Sequence, residues 1–265
     1  MQKPLLECEN LATWFPVKSG VLQKTTHYVK AVDGVSLKIY PKSITALVGE
    51  SGSGKSTLGY TLLNLVPKTS GVVSIQGQMV ENSQFFRKDF LIIYQDSSSS
   101  LNPRQTVFEI LKAPLLEHHI VDKRDIKVYC ENLLLEVGLE KKHLERFPHE
   151  FSGGQRQRIN IARALGMRPR FIVCDEIVSA LDVLIQSQVL NLLKSLVAKY
   201  DMALLFITHD LAVAKSFCDY LYVMHLGKVV EEGEAQGVLL NPQDSYTQKL
   251  ISAVPTFPTG WNDVT

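Results

Sequence analysis

The chain of 265 residues is 45% apolar and 21% charged, ordinary globular composition with enough apolar side chain for a sizeable core, so disorder is not indicated. A formal net charge of +1 gives no electrostatic reason to expect nucleic acid as a partner. No window approaches the roughly 18 apolar residues of a spanning helix, and Glu7 and Glu9 stand where a secretory signal needs its apolar stretch. These features predict a cytosolic chain that meets a membrane only through other proteins.

Ala31 to Ile39 alternate polar and apolar residues, which predicts a half-buried strand, and Ile44-Thr45-Ala46-Leu47-Val48 reads as a short buried one. Gly49 stops that run. Gly49-Glu50-Ser51-Gly52-Ser53-Gly54-Lys55-Ser56 matches G-x-x-x-x-G-K-[ST], between the predicted strand and a helix expected from Lys55 to about Leu65, with Thr57 in its first turn. In this pattern glycines let backbone N–H groups wrap a β-phosphate, Lys55 adds a point charge at the β/γ-phosphates, and the Ser56 hydroxyl can ligate Mg²⁺. Alone, the loop fits kinases and GTPases as well. Pro67 and Gly71 then punctuate the chain, and strands are expected at Val72 to Ile75 and Leu91 to Tyr94.

From Asp96 to His149 the character changes, with apolar residues at helical spacing over Gln105 to Glu117 and Asp125 to Val137. This predicts a small helical subdomain inserted at about residues 96–151; Ser97 to Ser100 is its one low-complexity stretch. His118-His119 reads as a solvated pair, because adjacent residues do not share a helix face. In Phe151-Ser152-Gly153-Gly154-Gln155-Arg156-Gln157-Arg158, Ser152 and Gln155 fit an S-x-x-Q capping box. The adjacent glycines leave bare N–H groups at a helix mouth, an anion site.

Strand and helix then alternate: Phe171 to Cys174, a helix from Val183 to Tyr200, Ala203 to Thr208, another helix, and Tyr220 to Met224, with Gly227 to Gly233 as a closing hairpin strand. Alternation implies parallel pairing and right-handed crossovers, hence an α/β core. The apolar run ending at Cys174 delivers Asp175 to a metal and Glu176 to an attacking water, which makes Glu176 the candidate general base. In isolation, an acidic pair that merely favours a helix's first turn would read the same way. Cys8, Cys130, Cys174 and Cys218 lack C-x-x-C spacing and are expected as reduced, buried thiols.

The phosphate loop, the Ser152-Gly153-Gly154-Gln155 run and the Asp175-Glu176 pair, in that order, resemble the motifs of ATP-binding-cassette (ABC) ATPases. The resemblance implies a P-loop nucleotide-binding domain over residues 1–235: a mostly parallel core sheet, an antiparallel β subdomain and the helical insert, followed by a short extension, 236–265. It implies ATP and Mg²⁺ as cofactors, and a dimer in which Ser152-Gly153-Gly154-Gln155 of one subunit reaches the γ-phosphate of ATP held by the other. Gln95 resembles the Q-loop glutamine that touches Mg²⁺ and the attacking water, though a lone Gln at a strand end is usually a turn residue. His209, in Thr208-His209-Asp210, resembles the switch histidine that bonds the γ-phosphate. Asp182 ends Ser179-Ala180-Leu181-Asp182, which resembles the interfacial D-loop. Phe15 falls where relatives stack an aromatic on adenine, with Trp14 as the adjacent competitor. The family usually has proline after its Asp-Glu pair; Ile177 replaces it here and is expected to loosen the loop carrying Glu176.

Further strings look like ATPase subunits of oligopeptide, dipeptide and nickel importers: Ser100-Leu101-Asn102-Pro103-Arg104, Phe147-Pro148-His149-Glu150, Val178 to Val183, Asn241-Pro242, Tyr246-Thr247 and Ser252-Ala253-Val254-Pro255. That likeness implies a peripheral subunit on the cytoplasmic face of the inner membrane, driving uptake of peptides or of nickel or metal chelates. Its implied partners are a second ATPase subunit, two membrane-spanning permease subunits and, indirectly, an external solute-binding protein. Met224 onward has no cysteine, so the iron–sulfur centre of some relatives is not expected. The alternative is a soluble ABC ATPase of DNA repair or translation. Against it stand the short separation of loop and signature, without sustained heptads, and the single cassette.

Overall fold

The structure, a computed structural model, describes residues 3–19, 24–80, 86–96 and 99–253. Met1-Gln2, the Ser97-Ser98 half of the serine run, and everything from Val254-Pro255 to the end of the expected extension lie outside the described residues.

In chain order the elements begin with β1 (Leu6–Ser19), β2 (Lys24–Ile39), β3 (Ile44–Val48), α1 (Lys55–Leu62), β4 (Ser70–Ile75), β5 (Gln78–Met79), α2 (Phe86–Asp89) and β6 (Phe90–Ile93). The helical segment follows, α3 (Val107–Glu117), α4 (Ile126–Glu136) and α5 (Gly153–Gly166). Then come β7 (Phe171–Asp175), α6 (Val183–Tyr200), β8 (Ala203–Ile207), α7 (Leu211–Phe217), β9 (Tyr220–His225), β10 (Lys228–Glu234), α8 (Ala235–Leu240) and α9 (Ser245–Ser252).

Every residue of β3, β7 and β8 is buried, as the continuous apolar runs require in a sheet covered on both faces. The six-stranded sheet runs β10-β9-β3-β8-β7-β6, parallel except for the β10 edge. Alternation divides its side chains between two cores. Ala46, Val48, Ile172, Cys174, Leu204 and Phe206 face the helices α3 to α7, whereas Leu47, Phe171, Val173, Ala203, Leu205 and Ile207 face α1 and the second sheet. Phe171 and Phe206, both fully buried, anchor the opposite faces, each burial contributing roughly 1.5–3 kcal/mol.

The second sheet, antiparallel in the order β2-β1-β4-β5, is built on a long hairpin whose register runs from Leu6↔Ile39 to Ser19↔Lys24. The strand expected from Ala31 therefore starts at Lys24. Tyr28 and Val29 are about half exposed, so no buried face marks this stretch, and pairing with β1 holds it extended. Conversely, α1 ends at Leu62 rather than near Leu65, because Asn64 turns to φ 54°, a left-handed conformation that asparagine tolerates, and Leu65 is left in solvent.

The strands β6, β3, β7 and β8 are parallel, so the loops after Ile93, Val48, Asp175 and Ile207 leave from one edge of the sheet. Ligands of open parallel sheets bind at this carboxyl edge.

Candidate functional site

The loop after β3 can follow its path only with glycine at its ends. Gly54 has φ 103°, and a Cβ there would lie 1.9 Å from the Ala31 carbonyl oxygen; one at Gly49 would lie 2.1 Å from that of Met224. The first backbone bond of α1 is Leu58 N–H to Gly54 O, 2.8 Å, and no side chain caps the helix. The amides of Lys55, Ser56 and Thr57 therefore have no intrahelical acceptor. They face a cavity of ≈ 530 Å³ whose walls include Ser51, Gly52, Gly54, Lys55, Ser56 and Thr57, with Gln95 and Glu176 opposite.

Charge is concentrated here. Lys55 is buried and donates to Gly49 O and Glu50 O, both at 2.8 Å. Burial holds its ammonium below the usual lysine range, while Glu176 and Asp175 pull the other way. Asp175, also buried, accepts from Ser56 Oγ through Oδ1 at 3.0 Å and from Tyr60 Oη through Oδ2 at 2.8 Å. Desolvation raises its pKa above the ordinary carboxylate value, against the pull of those two hydroxyls. A buried carboxylate and a buried ammonium beside a concave loop form a site prepared for further charge.

Glu176 has φ 49° and is locked there by its N–H to Ile207 O at 3.0 Å and by Ser179, whose Oγ and N–H both bond its carbonyl. That turn aims its carboxylate at the rim. Gln95 Nε2 donates to Glu176 Oε2 at 3.3 Å, and His209 Nδ1 lies 3.4 Å from the same oxygen. The ends of β6, β7 and β8 thus bring Gln95, Glu176 and His209 together.

Ser152, Gly153, Gly154, Gln155 and Asp182 are not part of this cavity. The expected capping box forms, with Ser152 Oγ accepting from Gln155 N at 3.3 Å and Gln155 Oε1 accepting from Ser152 N at 3.1 Å. Asp182 caps α6 through Ile185 N at 3.0 Å, and a Cβ at Gly154 would meet Ile185 at 2.3 Å, so the two helix mouths pack against each other. Neither Phe15 nor Trp14 lines the cavity, but each pairs across β1–β2 with a residue that does, Phe15 with Val29 and Trp14 with Lys30. Phe15 is 41% exposed, whereas Trp14 lies under the Lys30 ammonium, 4.4 Å from its ring centre.

Ile177 is buried, 3% exposed, within the helix-side core, so apolar packing holds the segment where the family usually has a proline ring. A second cavity, ≈ 920 Å³, sits at the α3–α4 connection around His119, Asp122, Arg124 and Asp125, with no glycine in its lining. The sequence reading gave no site role to Tyr60 or Tyr246. Tyr60 stands one helical turn after Ser56, a spacing that was there to be read; Tyr246, read only as part of the importer-like Tyr246-Thr247 string, has an Oη that accepts from Glu50 N at 3.1 Å.

The donor set fits a nucleoside polyphosphate with a divalent cation. Unpaired helix amides and Lys55 suit phosphate, Ser56 and Asp175 are hard oxygen donors, and Ser53 Oγ is buried without a partner beside Gly49.

The chain is 45% identical over 258 residues to the glutathione import ATP-binding protein GsiA of Pectobacterium atrosepticum, and 46% identical to GsiA of Escherichia coli (strain K12). Each match covers 96% of this chain but 41% of the relative, so the chain spans less than half the length of these relatives. Among solved structures, a dimer of the ATP-binding cassette MJ0796 in a post-hydrolysis state, bound to ADP and Pi, superposes with TM-score 0.75 at 26% identity, covering 87% of this chain and 98% of that one. The structure of cbiO1 from Clostridium perfringens, at 24% identity, shares the fold with TM-score 0.77 over 91% of this chain and 92% of its own. Residues 32–179, more than half of the sequence, match the ABC transporter family model, and the protein belongs to that family.

Proposed function

We propose that the chain is the ATP-hydrolysing motor of an importer, using ATP and Mg²⁺ at the interface between two such units. The observation that carries the reading is the convergence of Gln95 Nε2 and His209 Nδ1 on Glu176 Oε2, with Gln95 and Glu176 lining the same cavity as Lys55 and Ser56. Residues 1–235, with the insert at about 96–151, act as the ATPase domain and 236–265 as its extension.

The loop amides and Lys55 bind the phosphates; to do so Lys55 exchanges the carbonyls of Gly49 and Glu50 for phosphate oxygens. Mg²⁺, when bound, neutralises charge developing on the transferred phosphoryl group, and Ser56, Asp175 and Gln95 are the side chains that would hold it. Glu176 takes the proton of the attacking water, oriented by Gln95, while His209 faces the γ-phosphate. Phe15, at the cavity edge beside Val29, stacks on adenine. Ser152, Gly153, Gly154, Gln155 and Asp182 complete the site of the opposing subunit, a role consistent with their position outside this chain's own cavity.

The named function of the GsiA relatives favours peptide-type solutes, glutathione among them, over a soluble repair or translation ATPase. No helix among the described residues is long and apolar enough to cross a membrane. The importer reading places this chain peripherally on the cytoplasmic face beneath two permease subunits, with a solute-binding protein outside.

General-base catalysis is worth about 10²–10⁴ in rate. Glu176→Gln should keep ATP affinity within about twofold and lower hydrolysis at least about 100-fold, read by nucleotide titration and phosphate release. Wild-type turnover in the variant would overturn the assignment.

A further inference from the structure

We infer that Tyr60 is a positioning residue for the divalent cation, fixing Asp175 in the rotamer that presents it to the metal. The inference rests on the nucleotide reading above. Ser56 and Tyr60 are four apart on α1 and therefore share a face, and both reach the same carboxylate. Ser56 Oγ takes Oδ1 at 3.0 Å and Tyr60 Oη takes Oδ2 at 2.8 Å, so the helix grips Asp175 at both oxygens.

The two hydroxyls differ in what they can do. Ser56 is itself a candidate metal ligand and can leave Asp175 for the cation. Tyr60 is further along the helix, beyond the cavity lining, and its O–H can keep donating to Oδ2 while Oδ1 turns to the metal. The Tyr60 ring is held from the other side by Tyr94, edge-on with centroids 6.2 Å apart, and Tyr94 immediately precedes Gln95. Tyr60 thus sits between the carboxylate that would bind the cation and the segment carrying Gln95.

Hydrogen-bond partners of metal-ligating carboxylates typically matter by about 10–100-fold in metal affinity. The test is Tyr60→Phe in the full chain, which keeps the ring and its contact with Tyr94 and removes only the hydroxyl. Mn²⁺ binding to the ADP complex is measured by electron paramagnetic resonance, and ADP binding in EDTA by titration. The expected result is Mn²⁺ affinity about 10-fold weaker, with metal-free ADP affinity within about twofold of wild type. Mn²⁺ affinity equal to wild type overturns the proposal. An equal loss of metal-free ADP affinity also overturns it, because Tyr60 would then support the loop rather than the metal. Wild-type chain that takes up no ADP with or without Mn²⁺ would sink the nucleotide reading and this proposal together, a result distinct from an unaltered variant.

Discussion

At the scale of single residues, the site holds groups in states that cost stability. Asp175 is the clearest case. Burial raises its carboxyl pKa in the folded chain, so the native state binds a proton more readily than the unfolded state over the window above the ordinary carboxylate value. Stability therefore falls as pH rises through that window, and the penalty persists at neutral pH. Asp175→Asn removes the charge and keeps an oxygen for one hydroxyl and an amide for the other. In the absence of nucleotide the variant should melt higher than wild type at pH 7, on the order of 2–4 °C for each kcal/mol recovered, and the difference should shrink towards pH 4. Calorimetry across pH measures it; a lower melting temperature at pH 7 would show that the hydroxyl bonds outweigh desolvation. The strain at Glu176, a non-glycine residue at φ 49°, belongs to the same pattern of local cost at a working position.

At the scale of elements, α9 reaches back to the phosphate loop across most of the sequence. Tyr246 Oη accepts from Glu50 N, and its ring stacks on His225 with centroids 3.8 Å apart. The helix is docked by Glu231, whose carboxylate accepts from Gln243 N at 2.7 Å and Asp244 N at 3.1 Å. Burial works against that carboxylate's charge, yet the amides hold its pKa below the usual range. This contribution is present above the unfolded glutamate value and lost as pH falls through the folded one, so α9 should loosen in acid before the central sheet does. Removing one hydrogen bond costs about 1 kcal/mol, so Tyr246→Phe should speed exchange of the Glu50 amide roughly fivefold by mass spectrometry, with β3 unchanged. Equal protection in both proteins would remove the brace.

What was legible in advance follows the same division. β3, β7 and β8 could be read from sequence because burial on both faces leaves an apolar run, and the phosphate loop because its glycines answer a local steric demand. The exposed start of β2 and the end of α1 could not, since pairing with β1 and a left-handed Asn64 decide them. Gln95, Glu176 and His209 were each placed at a strand end by pattern, but their meeting on one oxygen depends on the β6-β7-β8 neighbour relation that only the folded sheet supplies. Tyr246 depends on tertiary return alone.

At the scale of the whole molecule, the two helix mouths proposed to bind anions do not share a cavity. The N-terminus of α1 opens on the phosphate loop, while that of α5, capped by Ser152, opens elsewhere, beside the start of α6. There Val183 is 84% exposed and Leu184 68%, an apolar edge that a single chain leaves in water. In the proposed pair, this edge and Ser152 of one subunit meet nucleotide on the other. Ser152→Arg then separates the two functions. It forfeits a cap worth about 1 kcal/mol, which a chain with this core can bear, and it touches nothing in its own cavity. The isolated variant should bind ATP like wild type. In the Glu176→Gln background, where ATP is held unhydrolysed, the chain with native Ser152 should dimerise on addition of ATP and Mg²⁺, as read by light scattering, and the Ser152→Arg double variant should stay monomeric. A double variant that dimerises as readily would mean that the α5 mouth lies outside the interface, and the pairing would have to be rebuilt on another surface.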